Sequence, residues 1–267
     1  MASGIDKTVQ QRVIALLSAE GAGPQSLNAA LRLLAKWRSE RLDQLLKERS
    51  GDRVLSGPFR GMVYRVRASE GARTPRLIGS YEASLAPVIE EIVAGAYDRV
   101  IDIGSAEGYY AVGLALRLSG ARIIARDTDA KAQEACAALS RDNGVAERVE
   151  IGGVVQHADF DGLIAGRTLI LCDIEGEEAA LLDPEAAPRL READLLVEVH
   201  EGMRPGCLDL LERRFAPSHS IRRIGRRLQD AGLPGWAEGL SDMDRLLLLW
   251  EWRASPTPWL WMQRRSS

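Results

Sequence analysis

The sequence predicts an α/β fold in which helices cover both faces of a mostly parallel sheet. Over residues 99–151, short apolar runs alternate with amphipathic stretches in the order strand, helix, strand, helix, strand. Two further apolar runs, Thr168–Cys172 and 194–199, each end in acidic residues. The chain has 267 residues, which suits one domain of this class with an extension.

The first part of the chain is predicted to be helical. Residues 1–50 carry leucine and valine at helical spacing, and Gly21 to Pro24 interrupt the pattern. Residues 51–78 have turn and short-strand signals, and residues 82–94 are typical of a helix leading into the sheet. We therefore predict two domains, an N-terminal helical cap over residues 1–80 and the sheet domain over residues 81–267.

The segment 99–108 is the most informative stretch of the chain. Its apolar strand contains Asp102, and Gly104 and Gly108 follow before an amphipathic helix over residues 109–118. Because Gly104 has no Cβ, its turn predicts a shelf where a flat, polar cofactor approaches the main chain. The spacing Asp-x-Gly-x-x-x-Gly differs from the Gly-x-Gly-x-x-Gly of dinucleotide-binding folds.

The next two strands supply the other side of a nucleotide site. Residues 121–125 form an apolar strand, and an acid at the end of such a strand can accept hydrogen bonds from both hydroxyls of a ribose. Asp129 is the expected N-cap of a helix over residues 130–141. A third strand covers residues 148–151 and ends at Gly152 and Gly153.

The chain resembles class I S-adenosylmethionine-dependent methyltransferases in its first motif. It is similar to the FkbM-type O-methyltransferases of small-molecule and sugar metabolism in two further elements, Asp173-Ile174-Glu175-Gly176-Glu177-Glu178 and Glu198-Val199-His200. A Gly79-Ser80-Tyr81-Glu82 element before the first strand also resembles one in these relatives. The resemblance covers residues 79–216. Arg126, where relatives often have an aromatic residue, departs from the pattern.

The resemblance implies a Rossmann-like, seven-stranded sheet, with residues 220–224 and 258–263 as the last strands and the final one antiparallel. It implies that strand order reverses between the first and fourth strands, where ligands bind in open sheets. The implied cofactor is S-adenosyl-L-methionine. Its expected binding residues are Tyr81, Asp102, Gly104, Ser105, Glu107, Gly108, Asp127, Thr128, Gly153 and Asp173.

The predicted reaction is methyl transfer to a hydroxyl group of a small molecule. An alcohol needs a base near pH 7, and His200 has a suitable pKa range, with Asp173 and Glu198 as further catalytic candidates. Alternatively, Asp173 and Glu201 hold Mg²⁺ or another divalent cation that lowers the pKa of the hydroxyl. Glu198 also has a structural interpretation, in which it is buried and paired with an arginine.

Two other functions stay open at this point, N-methylation of an amine or peptide and a non-catalytic partner protein with this fold. A net charge of −3 and a pI of about 5.8 disfavour nucleic acid as a partner. We see no secretory signal or apolar run long enough for a membrane span, and three cysteines without close pairing fit a reducing cytoplasm. A small-molecule acceptor is the expected partner, and a homo-oligomer stays open.

Overall fold

The computed structural model describes residues 4–69, 71–227, 232–253, 255 and 257–265. The helices are α1 (Gly4–Ser18), α2 (Pro24–Ser50), α3 (Arg73–Ile78), α4 (Ala86–Ala94), α5 (Tyr109–Arg117), α6 (Ala130–Asp142), α7 (Phe160–Leu163), α8 (Glu178–Leu181), α9 (Cys207–Phe215) and α10 (Asp242–Leu249). The strands are β1 (Arg99–Ile103), β2 (Arg122–Arg126), β3 (Val149–Gly152), β4 (Thr168–Cys172), β5 (Asp194–Glu198), β6 (His219–Ile224) and β7 (Trp259–Arg264).

The strands form one twisted sheet, which within the described residues has seven members in the order β3-β2-β1-β4-β5-β7-β6. Strands β1 to β5 pair in parallel, whereas β7 runs antiparallel to both β5 and β6. The predicted Rossmann-like fold is therefore confirmed, including the antiparallel last strand. Strand order reverses between β1 and β4, and the carboxyl ends of these two strands lie side by side.

Alternating side chains of the strands supply two apolar cores, one on each face of the sheet. On one face, Val100, Leu169 and Leu171 pack with α4, α5 and α6. On the other face, Ile101 and Ile170 pack with the residues of α9. Burial on both faces explains why the strands read as nearly continuous apolar runs.

The segment between α2 and α4 differs from the prediction. The short strands expected in residues 51–78 are reduced to one bridge between Arg53 and Val63, and the helix α3 was not predicted. The Leu55 N–H donates to the Leu77 carbonyl at 2.8 Å, so this segment folds back on α3. Contacts between residues distant in sequence therefore decide its conformation, and local propensity does not reveal them.

The N-terminal helices pack at the side of the sheet domain. Leu42 and Leu46 of α2 are buried, and Arg38 pairs with Asp244 of α10 through two hydrogen bonds of 2.6 and 2.7 Å. Among the described residues, α1 and α2 contribute none to the crevice below, whereas Arg76 of α3 and Tyr81 do line it.

Within the described residues, no helix combines the length and apolar character needed to cross a membrane. The three cysteines are all free and buried.

Candidate active site

One crevice opens at the carboxyl edge of the sheet, where strand order reverses. It has a volume of about 880 Å³. Its walls include most of the predicted cofactor residues, namely Tyr81, Asp102, Gly104, Ser105, Glu107, Asp127, Thr128, Gly153 and Asp173. Gly108 and the catalytic candidates Glu198 and His200 are not lining residues. The topology thus brings to one place residues that are up to 92 positions apart in sequence, Tyr81 and Asp173 being the extremes.

Gly104 is needed because two chain segments approach each other closely at this point. It has a φ of +79°, and a Cβ there would lie 1.7 Å from the carbonyl oxygen of Asp173. The Asp173 N–H donates to the Ile103 carbonyl at 2.9 Å, which holds the ends of β1 and β4 together. The missing Cβ therefore faces β4, so the glycine is required by the junction of the two strands as well as by any ligand.

The turn after β1 is anchored to the end of β2 through Asp127. One carboxylate oxygen accepts the Ala106 N–H at 2.8 Å, and the other accepts the Asp129 N–H at 2.8 Å. Each oxygen retains a lone pair for a further donor. Asp129 caps α6 through the Lys131 N–H, as predicted.

Arg126, the departure from the family pattern, lies along the same wall. Its guanidinium pairs with Glu150 at 2.5 Å and packs against the backbone of Gly152. Arg126 therefore presents to the crevice a flat guanidinium that Glu150 partly neutralises. The relatives that the sequence resembles often have an aromatic residue at this position.

Glu107 and Gly108 have structural partners inside the protein. Glu107 is fully buried and accepts hydrogen bonds from the Tyr64 hydroxyl at 2.7 Å and the Ser69 N–H at 2.8 Å, and it pairs with Arg76 at 3.0 Å. Gly108 has a φ of +91°, and a Cβ there would lie 2.6 Å from the sulfur of Cys136. These two residues join the turn after β1, residues 104–108, to α3 and α6.

Asp102 is a buried carboxylate beside the turn after β1. Burial raises its pKa to about 7, helped by the charges of Asp127 and Glu107 and opposed by the backbone N–H of Ala111. This acid is consequently poised to be neutral or charged near physiological pH.

A second group of side chains lies at the ends of β4 and β5. The Nε2 atom of His200 is 3.7 Å from an Asp173 oxygen and 3.5 Å from a Glu175 oxygen. The Nδ1 atom is 2.6 Å from Glu178, which also accepts the Gly176 N–H at 3.0 Å. Burial lowers the His200 pKa, but the Glu178 hydrogen bond and the charge of Glu198 together raise it by more. The net shift of the His200 pKa is therefore upward.

Asp173 and Glu175 are the members of this group that line the crevice. Burial and the nearby charge of Glu198 raise the pKa of Asp173 well above the usual range. Its Oδ1 atom is buried and has no hydrogen-bond partner among the described residues. Asp173 therefore offers an unsatisfied oxygen next to the crevice.

Glu198 belongs to a buried ion cluster centred on Arg253. The guanidinium contacts the carboxylates of Glu198 and Glu82, and it lies 3.0 Å from Glu251. Thr257 donates a further hydrogen bond to Glu198. The structural interpretation of Glu198, buried and paired with an arginine, is confirmed.

The same cluster perturbs Glu82, the residue after Tyr81. Burial raises the Glu82 pKa to about 8, together with the charges of Glu198 and Glu251, although Arg253 and the Tyr110 hydroxyl oppose the shift. Glu251 also pairs with a second guanidinium, that of Arg226, at 3.4 Å. The cluster therefore holds charged groups of both signs close to Asp173.

The structure does not bring Glu201 to the Asp173 group. Its carboxylate accepts the Gly206 N–H at 2.5 Å and the Leu208 N–H at 3.0 Å. These hydrogen bonds lower the Glu201 pKa and stabilise the start of α9. Glu201 was predicted as a metal ligand together with Asp173, and Glu175 is the acid that the structure places near Asp173 instead.

Three non-glycine residues around the crevice have positive φ, namely Glu82 at 47°, Ala106 at 48° and Glu175 at 53°. Such conformations cost about 1–3 kcal/mol each and concentrate at functional sites. The segments before β1, after β1 and after β4 each hold one of them, so each of these three segments is strained.

Sequence reasoning missed several residues that shape the site. Arg76 stacks over the Tyr81 ring at 3.9 Å, and Tyr109 lies with its ring centroid 5.5 Å from that of Tyr81. The link between Glu178 and His200 had a signal, because adjacent parallel strands place their carboxyl ends together. The role of Arg253 had none, since it follows α10 and reaches the site only through tertiary packing.

Comparison with known proteins gives structural similarity alone. No family model matches the sequence, and no curated protein matches it significantly. Among solved structures, an O-methyltransferase from Bacillus cereus in complex with SAH is 12% identical, with 97% of each chain covered and a TM-score of 0.47. The cofactor-bound protein Rv0187 from MTB is 16% identical over 99% of this chain and 100% of its own, with a TM-score of 0.45.

A third similar structure is the O-methyltransferase TomG from Streptomyces achromogenes in complex with SAM. It is 14% identical, covers 69% of this chain and 81% of its own, and has a TM-score of 0.45. Similarities this distant transfer neither an activity nor a substrate to this chain.

Proposed function

We propose that this protein is an S-adenosylmethionine-dependent methyltransferase that methylates a hydroxyl group of a small molecule. The observation that carries the proposal is the crevice at the β1–β4 reversal, with the Gly104 turn and Asp127 on one side and Asp173 on the other. Ligands of open α/β sheets bind at this position. The acceptor, like the cofactor, is inferred from the chemistry of the lining residues and the family resemblance.

The residues of the crevice fit the cofactor. Its volume of about 880 Å³ lies within the range of small-molecule sites, about 300–1,000 Å³. Asp127 has free lone pairs for the two ribose hydroxyls, and Val154 and Val155 offer apolar contact to a flat base. When bound, the cofactor supplies a methyl group activated on a positively charged sulfur.

The protein's own contribution is to orient the acceptor toward the cofactor, to exclude water from the crevice and to take up the proton of the acceptor hydroxyl. Tyr81, Tyr109 and Tyr110 form an aromatic wall that limits access of water on one side. Asp173 and Glu175 border the crevice, and His200 lies behind them. A proton from an acceptor hydroxyl therefore reaches the two carboxyl groups first. His200, with its ring held by Glu178, is the proposed base behind them.

One observation favours a second candidate function, the methylation of an amine. The carboxyl groups of Asp173 and Glu175 both border the crevice, whereas the nearby Glu82 and Glu198 pair with Arg253. Acidic groups at the crevice would attract a cationic amine, which needs only to lose a proton before methylation. Turnover assays with matched hydroxyl and amine acceptors separate the two functions, and binding without any turnover would indicate the non-catalytic alternative.

Cofactor binding is tested first, by calorimetric titration of the full chain with S-adenosylhomocysteine. We expect binding with 1:1 stoichiometry. Asp127→Ala should weaken it by about 10- to 100-fold, because a hydrogen bond to a charged group contributes about 1.5–3 kcal/mol.

Asp129→Ala is the matched control for this titration. Asp129 is also an aspartate after β2, but it caps α6, so its loss should cost about 1 kcal/mol of stability and leave affinity unchanged. Absence of binding to the wild-type chain, or equal effects of the two variants, would contradict the proposed function.

A further inference from the structure

The side chains of Asp173, Glu175 and His200 lie together at the carboxyl ends of β4 and β5. Each offers one ligand atom, and these atoms all lie within 4.8 Å of one another. We infer that these three residues bind a divalent transition-metal ion of the Mn²⁺ type. This inference rests on the proposed function only for the role of the ion, since metal binding itself is independent of the cofactor.

The spacing of the three ligand atoms suits a single ion. Metal bonds of about 2.1 Å place neighbouring ligand atoms about 3 Å apart and opposite ones about 4 Å apart. The His200 Nε2 atom is 3.5 Å from the Glu175 oxygen and 3.7 Å from the Asp173 oxygen. An ion at this position requires only small shifts of the side chains.

His200 provides an observation that is independent of the two acids. Its side chain is 7% exposed, and its Nε2 atom points at Asp173 and Glu175 without forming a hydrogen bond within the described residues. Its Nδ1 atom is 2.6 Å from the fully buried Glu178. A carboxylate on the far ring nitrogen is the usual partner of a metal-bound histidine, because it fixes the tautomer and orientation of the ring.

Asp173 points to the same ligand. Its Oδ1 atom is buried and lacks a hydrogen-bond partner among the described residues, and this is the oxygen nearest to His200. Burial of an unpaired carboxylate oxygen is costly unless a cation or donor compensates it. A bound cation would satisfy Asp173 and Glu175 at once.

The donor set selects the kind of ion. Two carboxylates and one imidazole suit Mn²⁺ or a neighbouring first-row ion better than Mg²⁺, which prefers oxygen ligands alone. Glu175 is 48% exposed and borders the crevice, so positions on the ion face the acceptor site. There the ion would lower the pKa of an acceptor hydroxyl, and His200 would act as its ligand in place of a free base.

The test uses the full chain after treatment with a chelator, with Mn²⁺ as the probe and Mg²⁺ as the comparison. Titration followed by electron paramagnetic resonance measures the Mn²⁺ affinity directly. The Mg²⁺ affinity follows from competition with Mn²⁺, because Mg²⁺ has no unpaired electrons. We expect one Mn²⁺ site and at least 10-fold weaker Mg²⁺ binding. Glu175→Gln should weaken Mn²⁺ binding by at least 10-fold, and its half-exposed side chain keeps the risk of misfolding low.

Glu177→Gln is the matched control, because Glu177 lies on the same loop but is outside the group of three ligand atoms. It should leave the Mn²⁺ affinity unchanged. His200→Gln should remove the ¹⁴N modulation from the pulsed resonance spectrum of bound Mn²⁺, whereas Glu175→Gln should retain it. This spectroscopic signature reports a direct nitrogen ligand and would not change if His200 were merely structural.

Three outcomes overturn the inference: no Mn²⁺ binding to the wild-type chain, equal losses in Glu175→Gln and Glu177→Gln, or no ¹⁴N modulation in the wild type. A chain that binds S-adenosylhomocysteine without Mn²⁺ disproves only the metal site. A chain that binds Mn²⁺ without S-adenosylhomocysteine disproves only the proposed function.

Discussion

At the residue scale, the buried carboxylate of Asp102 links the crevice to the stability of the fold. Its pKa of about 7 in the folded protein exceeds the unfolded value of about 3.9. Folding therefore binds a proton between these values. This proton uptake stabilises the fold. The stabilisation is fully present below about pH 4, and it is lost as the pH rises through about 7.

We predict that Asp102→Asn makes the free energy of unfolding depend less on pH between about pH 4 and pH 7. Urea unfolding at pH 5 and pH 7.5 measures the effect in the wild type and the variant. The wild type should lose more stability over this interval, with a limiting slope of about 1.4 kcal/mol per pH unit from this group. Equal losses in both proteins would show that Asp102 titrates normally.

Other residues of the site owe their roles to neighbours from distant parts of the chain. Glu198 and His200 are two positions apart at the end of β5, a spacing that places side chains on one face of a strand. Glu198 contacts Arg253 and Thr257, whereas His200 contacts Glu178. The pattern located both side chains at the right edge of the sheet, but only their partners distinguish an ion-cluster residue from a candidate ligand.

At the scale of elements, the junction of β1 and β4 depends on Gly104. We predict that Gly104→Ala destabilises the protein by at least about 2 kcal/mol, because a residue other than glycine is strained at its φ of +79° and the added Cβ meets the Asp173 carbonyl. Cofactor affinity should fall as well, since the two loops that border the crevice must separate.

Gly120→Ala is the control for this substitution. A Cβ at Gly120 meets no atom within 4 Å, so its effect should be within about 1 kcal/mol in either direction. Chemical denaturation of both variants gives the comparison. A Gly104→Ala protein as stable as Gly120→Ala would contradict the close approach of the strands.

The elements themselves were predicted to different degrees. Strand β4 has the predicted bounds, and β2 lies one residue later than expected, at Arg122–Arg126. Long apolar runs bounded by glycine and acids are strong signals because both faces of the strand are buried. The helix α3 has six residues and contains Pro75, so its local pattern is too short to be recognised.

At the scale of the whole molecule, the predicted boundary between residues 80 and 81 stays a prediction. Leu46 of α2 and Val100 of β1 belong to one apolar cluster, which predicts that both parts unfold together. We expect one calorimetric transition for the full chain. Two separate transitions would support independent domains.

Two leucines of α2 test how tightly the extension is coupled to the sheet domain. Leu46 is fully buried and Leu31 is 62% exposed, and both lie on the same helix. Leu46→Ala should lower the free energy of unfolding by about 2–5 kcal/mol, whereas Leu31→Ala should change it by about 0.5 kcal/mol or less. If Leu46→Ala leaves the transition of the sheet domain unchanged, the extension is a separate unit.

The sequence by itself determined the sheet, the position of the crevice and nine of the residues that line it. Apolar periodicity, glycine turns and strand-end acids are local signals, and parallel pairing necessarily gathers the strand ends at one edge. Tertiary structure alone decided the partners of these residues: Arg253 for Glu198, Glu178 for His200 and backbone N–H groups for Glu201. Such pairings depend on the packing of segments distant in sequence, which local patterns do not encode.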